Sequence, residues 1–345
     1  MLAAAVVTTV AAGALSFGGG SPVLVFAVSG VALAILAYLV GEATEQLGRL
    51  LGPGATGVLQ SALGNLPELF IGLFALRAGL IAVVQATIVG SILGNNLLVL
   101  GLAFVVGGLK NGPQRFASTP PRLIVTLMLL AVSALAVPTL AQELHTPAGG
   151  HEIGLSVIAS IVLLAVFAAS LPLSMSGAST AVPGPEVETP GVGWPLWLAI
   201  AILAATGIGA AFVSDWFVSA LRPAVAALYI SEAFTGFVIV ATAGNAVENV
   251  VGIQLAAHNR ADYAVSVILN SPLQIALALT PVLVLASLFL GGTPLTLVLP
   301  PLLVTALALT TIVTTVIVYD GESIWLEGVA LVGLYCIIAA SFWWG

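Results

Sequence analysis

Two glutamates, Glu68 and Glu248, stand alone in apolar stretches of the sequence. Glu68 is the one charge in "LQSALGNLPELFIGLFAL" (59–76), and Glu248 is the one charge in "GNAVENVVG" (244–252). A carboxylate at the centre of a membrane helix costs on the order of 3 kcal/mol, and such residues usually have a functional role. Neither stretch holds a Lys or Arg, so we expect each glutamate to be protonated or to share a cation.

The two glutamates belong to a repeated motif. "GNLPELFIG" (64–72) aligns with "GNAVENVVG" (244–252) at an offset of 180 residues, and Ser91 aligns with Ser271 at the same offset. If each copy contains an odd number of membrane spans, the second copy enters the membrane upside down. Inverted repeats typically form one substrate site near the middle of the membrane. The repeat therefore predicts that Glu68 and Glu248 meet there.

A carboxylate pair of this kind can exchange protons for a divalent cation. Two ionised carboxylates neutralise a bound 2+ ion, and repulsion between them favours protonation once the ion leaves. The helical spacing places Asn65 and Asn245 on the faces of the two glutamates, with Ser61 one turn earlier. Pro67 predicts a broken helix with free carbonyl oxygens. Calcium prefers such oxygen ligands, whereas zinc or copper would require His or Cys.

Other polar residues occur in the same apolar segments. Two further pairs could add oxygen ligands to the site or form hydrogen bonds between helices, and the sequence leaves both roles open: Ser91 with Asn95, and Ser271 with Gln274. Pro272 predicts a second disturbed helix. Glu45 and Asp215 lie towards helix ends, where they could line an ion pathway or reach the membrane interface.

The composition indicates which elements must position these residues. Hydrophobic residues make up 60% of the 345 positions and charged residues 6%, which indicates an all-α integral membrane protein. The net charge of −7 suggests no nucleic-acid partner, and the single cysteine excludes a disulfide framework. We therefore expect the protein to be surrounded by membrane lipid.

Hydropathy predicts about eleven membrane spans. They cover residues 2–17, 22–48, 53–76, 82–108, 120–141, 152–173, 194–221, 230–257, 263–290, 296–318 and 324–344. The predicted organisation is an extra N-terminal helix (1–20), a first repeat (21–173, with its motif at 59–101), a cytoplasmic linker (174–193) and a second repeat (194–345, with its motif at 231–280). Five of the seven basic residues fall on one side of these spans, which predicts a cytoplasmic N-terminus. The short loops favour a prokaryotic plasma membrane.

Two long stretches resemble a known family. Residues 41–101, which contain "GEATEQLG", "GNLPE" and "VVQATIVGSILGNN", closely resemble the first alpha-repeat of the cation/proton exchanger branch of the calcium/cation antiporter superfamily. Residues 231–277, which contain "GNAVE" and "VILNSPLQIAL", resemble the second. The sequence departs from the usual pattern at Asn249, where many members have His, at Gly94, and in "NSP" (270–272), where "GSS" is usual.

The resemblance implies a secondary transporter, not an enzyme, that exchanges Ca2+ for H+ without a cofactor. It implies that Glu68 and Glu248 bind the cation or protons in competition, with Ser91, Asn95, Ser271 and Gln274 as polar positions of the neighbouring helices. A monovalent (Na+ or K+) cation/proton antiporter with the same site stays open as an alternative. A sodium/calcium exchanger is less expected, since those sites are richer in Thr and Ser.

Overall fold

The computed structural model describes residues 1–51, 63–116, 119–175 and 194–343. The helices in these ranges are α1 (Leu2–Phe17), α2 (Pro22–Leu51), α3 (Leu66–Arg77), α4 (Ile81–Asn111), α5 (Thr119–Glu143), α6 (Glu152–Met175), α7 (Leu196–Leu228), α8 (Glu232–Gly244), α9 (Ala246–Ala257), α10 (Ala261–Ser287), α11 (Pro301–Tyr319) and α12 (Trp325–Ser341). Two short strands, β1 (Gln114–Arg115) and β2 (Glu322–Ser323), form an antiparallel pair.

The helices confirm the predicted all-α membrane fold. Seven of them are long and apolar enough to cross a membrane, and the bent pair α8–α9 makes an eighth. The terminal helices α1 and α12 are shorter and also apolar. The predicted span 53–76 is described from residue 63 onward, where α3 forms its second half. Helices suit this environment because they satisfy every backbone group within one segment.

Both Gly-Asn motifs interrupt a helix. Asn65 (φ −98°, ψ 22°) precedes α3, and Asn245 (φ −92°, ψ 16°) separates α8 from α9, which meet at 65°. The break that the sequence placed at Pro67 therefore lies two residues earlier. Pro67 stands in the first turn of α3, where a missing N–H leaves no hydrogen bond unmade. The sequence analysis placed Asn65 and Asn245 on the same helix faces as Glu68 and Glu248. That prediction is wrong, because both asparagines lie at a break and not within a continuous helix.

Three helices contain a turn of π-helix, at Gly94–Val99 in α4, Thr235–Val240 in α8 and Ile275–Leu279 in α10. The helix is not broken at Pro272 as predicted. α10 continues through this residue, and its π-turn begins only at Ile275. The π-turns of α4 and α10 lie at aligned positions of the two motifs. Gly79 and Asn259, also 180 residues apart, share a positive φ.

Close packing joins the helices of the two predicted repeats. α2 and α7 lie against each other along their length, with the rings of Phe26 and Phe217 stacked 4.5 Å apart. α4 crosses α8 at Gly90, where a Cβ would lie 2.2 Å from the carbonyl oxygen of Phe237. Glycine is needed at this crossing because the obstructing atoms belong to backbone.

An extended segment, residues 294–300, joins α10 to α11. The predicted span 296–318 therefore begins late, at Pro301. Side chains of other helices bind the backbone of this segment. Ser156 accepts from the N–H of Leu297, and Thr139 accepts from that of Leu299 and donates to the carbonyl of Leu297. These bonds let a buried backbone leave the helical conformation.

The β1–β2 pair lies at the opposite ends of the helices. Arg115 forms an ion pair with Glu322 (3.3 Å), and the amide of Phe116 donates to the carbonyl of Gly321. β1 also contacts α4 and α10. The β1–β2 pair lies on the side of the helices where most basic residues fall, which is the predicted inner side.

Candidate functional site

The two glutamates occupy equivalent places in their helices. Glu68 is the third residue of α3 and Glu248 the third residue of α9. The positive end of each helix dipole offsets part of the cost of an ionised carboxylate in the membrane. Glu68 lies against Gly244, four residues before Glu248 in the chain. The structure thus brings together the pair that the repeat predicts.

Glu68 is buried against the other motif. It is 5% exposed, and a Cβ added at Gly244 would lie 2.9 Å from its Cγ and 3.0 Å from its Oε1. Its Oε2 is buried and has no hydrogen-bond partner among the residues that the structure describes. Glu248 is partly exposed. A buried carboxylate oxygen without a partner is costly unless a proton or a cation occupies the site.

Neither glutamate pairs with a basic side chain in the described ranges. Arg115 and Arg222 form ion pairs elsewhere, with Glu322 and Glu232. The described basic side chains lie at helix ends or in loops, outside the central part of the helices. The charge of the two carboxylates is therefore left for protons or a cation to balance.

A hydrogen-bonded amide network lies beside the pair. Asn245 donates to the Oγ of Ser91 (3.0 Å), and its Oδ1 accepts from Asn95 (3.3 Å) and from Ser271 (3.1 Å). All four side chains are at most 6% exposed. They belong to α4, to α10 and to the break before α9. The network holds these elements together and occupies the Asn245 oxygen in this conformation.

Asn65 and Gln274 form a second link between the motifs. The Asn65 amide donates to the Gln274 Oε1 at 3.1 Å, and both side chains are buried. Gln274 lies immediately before the π-turn of α10. Of the eight predicted site residues, all are thus found around the junction of α3, α4, α9 and α10.

A small cavity lies beside Glu68. Its volume is about 20 Å³, enough for about one water molecule. Thr87 and Ser91 contribute its other polar side chains, and the remaining lining residues are apolar. They come from the end of α3, the start of α4 and the second half of α10, so the cavity lies on the side of Glu68 away from the β1–β2 pair.

The remaining predicted residues lie apart from this junction or outside the described ranges. Glu45 on α2 and Asp215 on α7 are both exposed. Their proposed part in an ion pathway stays a prediction. Ser61, expected one turn before Asn65, lies outside the described residues, as does the linker up to residue 193.

The sequence analysis missed three polar residues near the pair. Asn249 and Ser266 each have a buried oxygen without a hydrogen-bond partner, and Asn270 is exposed near the middle of α10. A signal was present in the spacing of Asp262, Ser266, Asn270 and Gln274, which recur every fourth residue along one helix.

Comparisons with known proteins show the family of the chain. Residues 21–175 and 198–344 match the family described as sodium/calcium exchanger protein. A Ca(2+)/H(+) antiporter of Synechocystis sp. is 35% identical, over 94% of this chain and 92% of its own. The Ca(2+)/H(+) antiporter ChaA of Bacillus subtilis is 36% identical, over 92% of each chain.

A solved structure shares the whole fold. The structure of native YfkE superposes with a TM-score of 0.84 and 31% identity, over 99% of both chains. The extent of these matches makes the protein a multi-pass secondary transporter and not an enzyme. The chain therefore belongs to the sodium/calcium exchanger family and, within it, to the branch of the Ca2+/H+ antiporters.

Proposed function

We propose that this protein exchanges Ca2+ for H+ and that Glu68 and Glu248 bind the cation or protons in turn. The observation that carries the proposal is the buried Glu68 carboxylate, which faces the second motif and has an oxygen without a partner. The named activity of the Synechocystis and Bacillus relatives supports the choice of ions. A divalent cation neutralises both carboxylates when bound, and protons replace it when it leaves.

The proposed transport cycle follows alternating access. Helices of the two motifs form inverted repeats around the pair, and rocking of one helix group against the other exposes it to each side in turn. The inner side is the side of the β1–β2 pair, where basic residues are in excess. We place the protein in a prokaryotic plasma membrane with its N-terminus inside, so that inward proton flow exports Ca2+.

Proton movement in sealed vesicles tests this function. An outward-directed proton gradient should drive Ca2+ uptake into vesicles of the purified protein, and Ca2+ addition should collapse that gradient. Glu68→Gln and Glu248→Gln keep the size of each side chain but cannot carry a charge, so each should abolish exchange. Retained exchange in either variant would overturn the assignment of the pair. Lys110→Gln, at the end of α4, is a matched control for loss of a charge and should exchange normally.

Ion competition separates the two open selectivities. If calcium is the substrate, Na+ and K+ in large excess should leave the initial rate of Ca2+-driven proton movement unchanged. If the protein is a monovalent cation/proton antiporter, Na+ or K+ alone should collapse the proton gradient. The oxygen donors and the two carboxylates favour the first result.

A further inference from the structure

One face of α10 carries a polar residue in every turn. Asp262, Ser266, Asn270 and Gln274 follow each other at four-residue intervals and so lie along one ridge of the helix. The ridge begins at the N-terminus of α10, near the β1–β2 pair, and ends at Gln274, which binds Asn65 of the site. We name these four residues the α10 polar face.

The middle of this face is open. Asn270 is exposed, although 78% of the most apolar part of α10 is buried inside the protein. It stands nine residues after Ala261, which corresponds to about 13 Å of helix and thus to about half of the hydrocarbon thickness. An exposed amide at this depth indicates contact with water, since a polar side chain facing lipid is costly.

The opening lies level with the glutamate pair. A Cβ at Gly252 of α9 would approach Ile268 of α10 to 2.5 Å, so these residues are opposite each other in the α9–α10 hairpin. Two residues further along each helix, Asn270 and Val250 lie at the same depth, with the Asn270 side chain on the face of α10 that is turned away from Ile268. Glu248 lies two residues before Val250 in α9, which is about 3 Å deeper in the membrane at 1.5 Å per residue. It is itself partly exposed.

The equivalent face of the first motif is closed. Ala86 and Gly90 align with Ser266 and Asn270, and both are buried. Gly90 is covered by the backbone of Phe237, and a cavity of about 20 Å³ lies beside Glu68 on this side. Positions that the repeat makes equivalent thus differ in both chemistry and exposure.

We propose that the α10 polar face forms the inner access path of the cation, which passes Asn270 and then Gln274, the partner of Asn65, before it reaches the two carboxylates. The identity of the ion as Ca2+ rests on the proposed function. The Ser266 hydroxyl is buried and has no hydrogen-bond partner among the described residues, and Asn270, which is exposed, adds an amide oxygen one turn deeper. Oxygen atoms at this spacing can replace waters that a divalent cation loses as it approaches the pair.

Cysteine labelling tests the path without measuring transport. In a Cys336→Ser background, Ser266→Cys and Asn270→Cys are treated in sealed vesicles with a membrane-impermeant maleimide, applied to either side. Lys110→Cys marks the inner side. Ile161→Cys, on the lipid-exposed helix α6, is the matched apolar control and should stay unlabelled. Asn270→Cys should react from the side that labels Lys110→Cys, and millimolar Ca2+ should protect it. Ser266→Cys, whose side-chain oxygen is buried in this conformation, should react from the same side but more slowly.

Two outcomes would overturn the path. One is an unreactive Asn270→Cys, as for Ile161→Cys, which would place Asn270 in lipid. The other is reaction only from the side opposite to Lys110→Cys. Because labelling needs no exchange activity, either outcome is distinct from a failure of the proposed function, which the Glu68→Gln and Glu248→Gln rates report.

A transport measurement tests the access path independently. Asn270→Asp should lower the KM for Ca2+ about tenfold at low ionic strength, because a carboxylate in the path concentrates cations. This gain should disappear at high salt. Asn270→Leu should raise the KM while the maximal rate stays near that of the wild type. An unchanged KM in both variants, with both proteins folded, would count against the path.

Discussion

Glu68 and Glu248 occupy aligned positions but have different surroundings. Glu68 is buried against the second motif, whereas Glu248 is partly exposed. The repeat supplies two similar carboxylates, and the conformation of the protein makes them unequal.

The contact between Gly244 and Glu68 gives a sharp test at the scale of one residue. Gly244→Ala should reduce the initial exchange rate at least about tenfold, because a Cβ 2.9 Å from Glu68 Cγ must displace the carboxylate. Gly94→Ala, in the π-turn of α4, is the matched control, since a Cβ there meets no atom within 4 Å. Thermal unfolding of both variants shows whether they remain folded. A wild-type rate for Gly244→Ala would contradict the described contact.

The sequence predicted which residues surround the glutamate pair but not the hydrogen bonds among them. Alignment of the two Gly-Asn motifs was enough to bring Glu68 and Glu248 together, because a repeat fixes equivalent positions. The bonds of Asn245 to Ser91 and Ser271 depend on how α4 and α10 cross the helix break. Helix crossings are set by packing between distant segments, so periodicity along one segment does not reveal them.

At the scale of elements, hydropathy located the spans better than their interruptions. The predicted span 296–318 includes the apolar stretch "TLVLP" (296–300), yet this stretch lies outside the helix, which begins at Pro301. Its backbone partners include Thr139 and Ser156, which stand about 140 to 160 residues away in the chain. No local pattern could indicate these partners. The π-turns escaped prediction because their residues also suit an α-helix.

The extended segment yields a prediction of stability. Thr139→Val keeps the shape of the side chain but leaves the buried N–H of Leu299 without its acceptor and the carbonyl of Leu297 without a donor. Each unsatisfied group costs on the order of 1–3 kcal/mol, so the variant should unfold at a clearly lower temperature. Thr305→Val is the control, because its exposed hydroxyl binds only the carbonyl of Pro301 in its own helix.

Differential scanning fluorimetry of the purified protein measures this difference. Thr305→Val should stay close to the wild type. Equal midpoints for Thr139→Val and Thr305→Val would mean that the side-chain bonds do not hold the segment. Hydrogen exchange at Leu299 gives a local readout, and it should accelerate in Thr139→Val alone.

At the scale of the whole molecule, different elements lie at the two ends of the helix bundle. On the predicted inner side, β1 and β2 join the α4–α5 connection to the α11–α12 connection. On the opposite side, residues 294–300 are bound to α5 and α6. Among the described residues, Asn270 is exposed between these two ends.

Ion binding at the junction of the motifs should stabilise the whole protein. Ca2+ at about one hundred times its Kd should add about 2.7 kcal/mol to the free energy of unfolding, because the ligand needs both motifs in place. The midpoint of thermal unfolding should therefore rise with Ca2+ relative to a chelator. The rise should be larger at pH 8 than at pH 6, since fewer protons then compete for the carboxylates. Glu68→Gln should lose the effect, and Lys110→Gln should keep it. An equal rise in Glu68→Gln would show that Ca2+ stabilises the protein at another place.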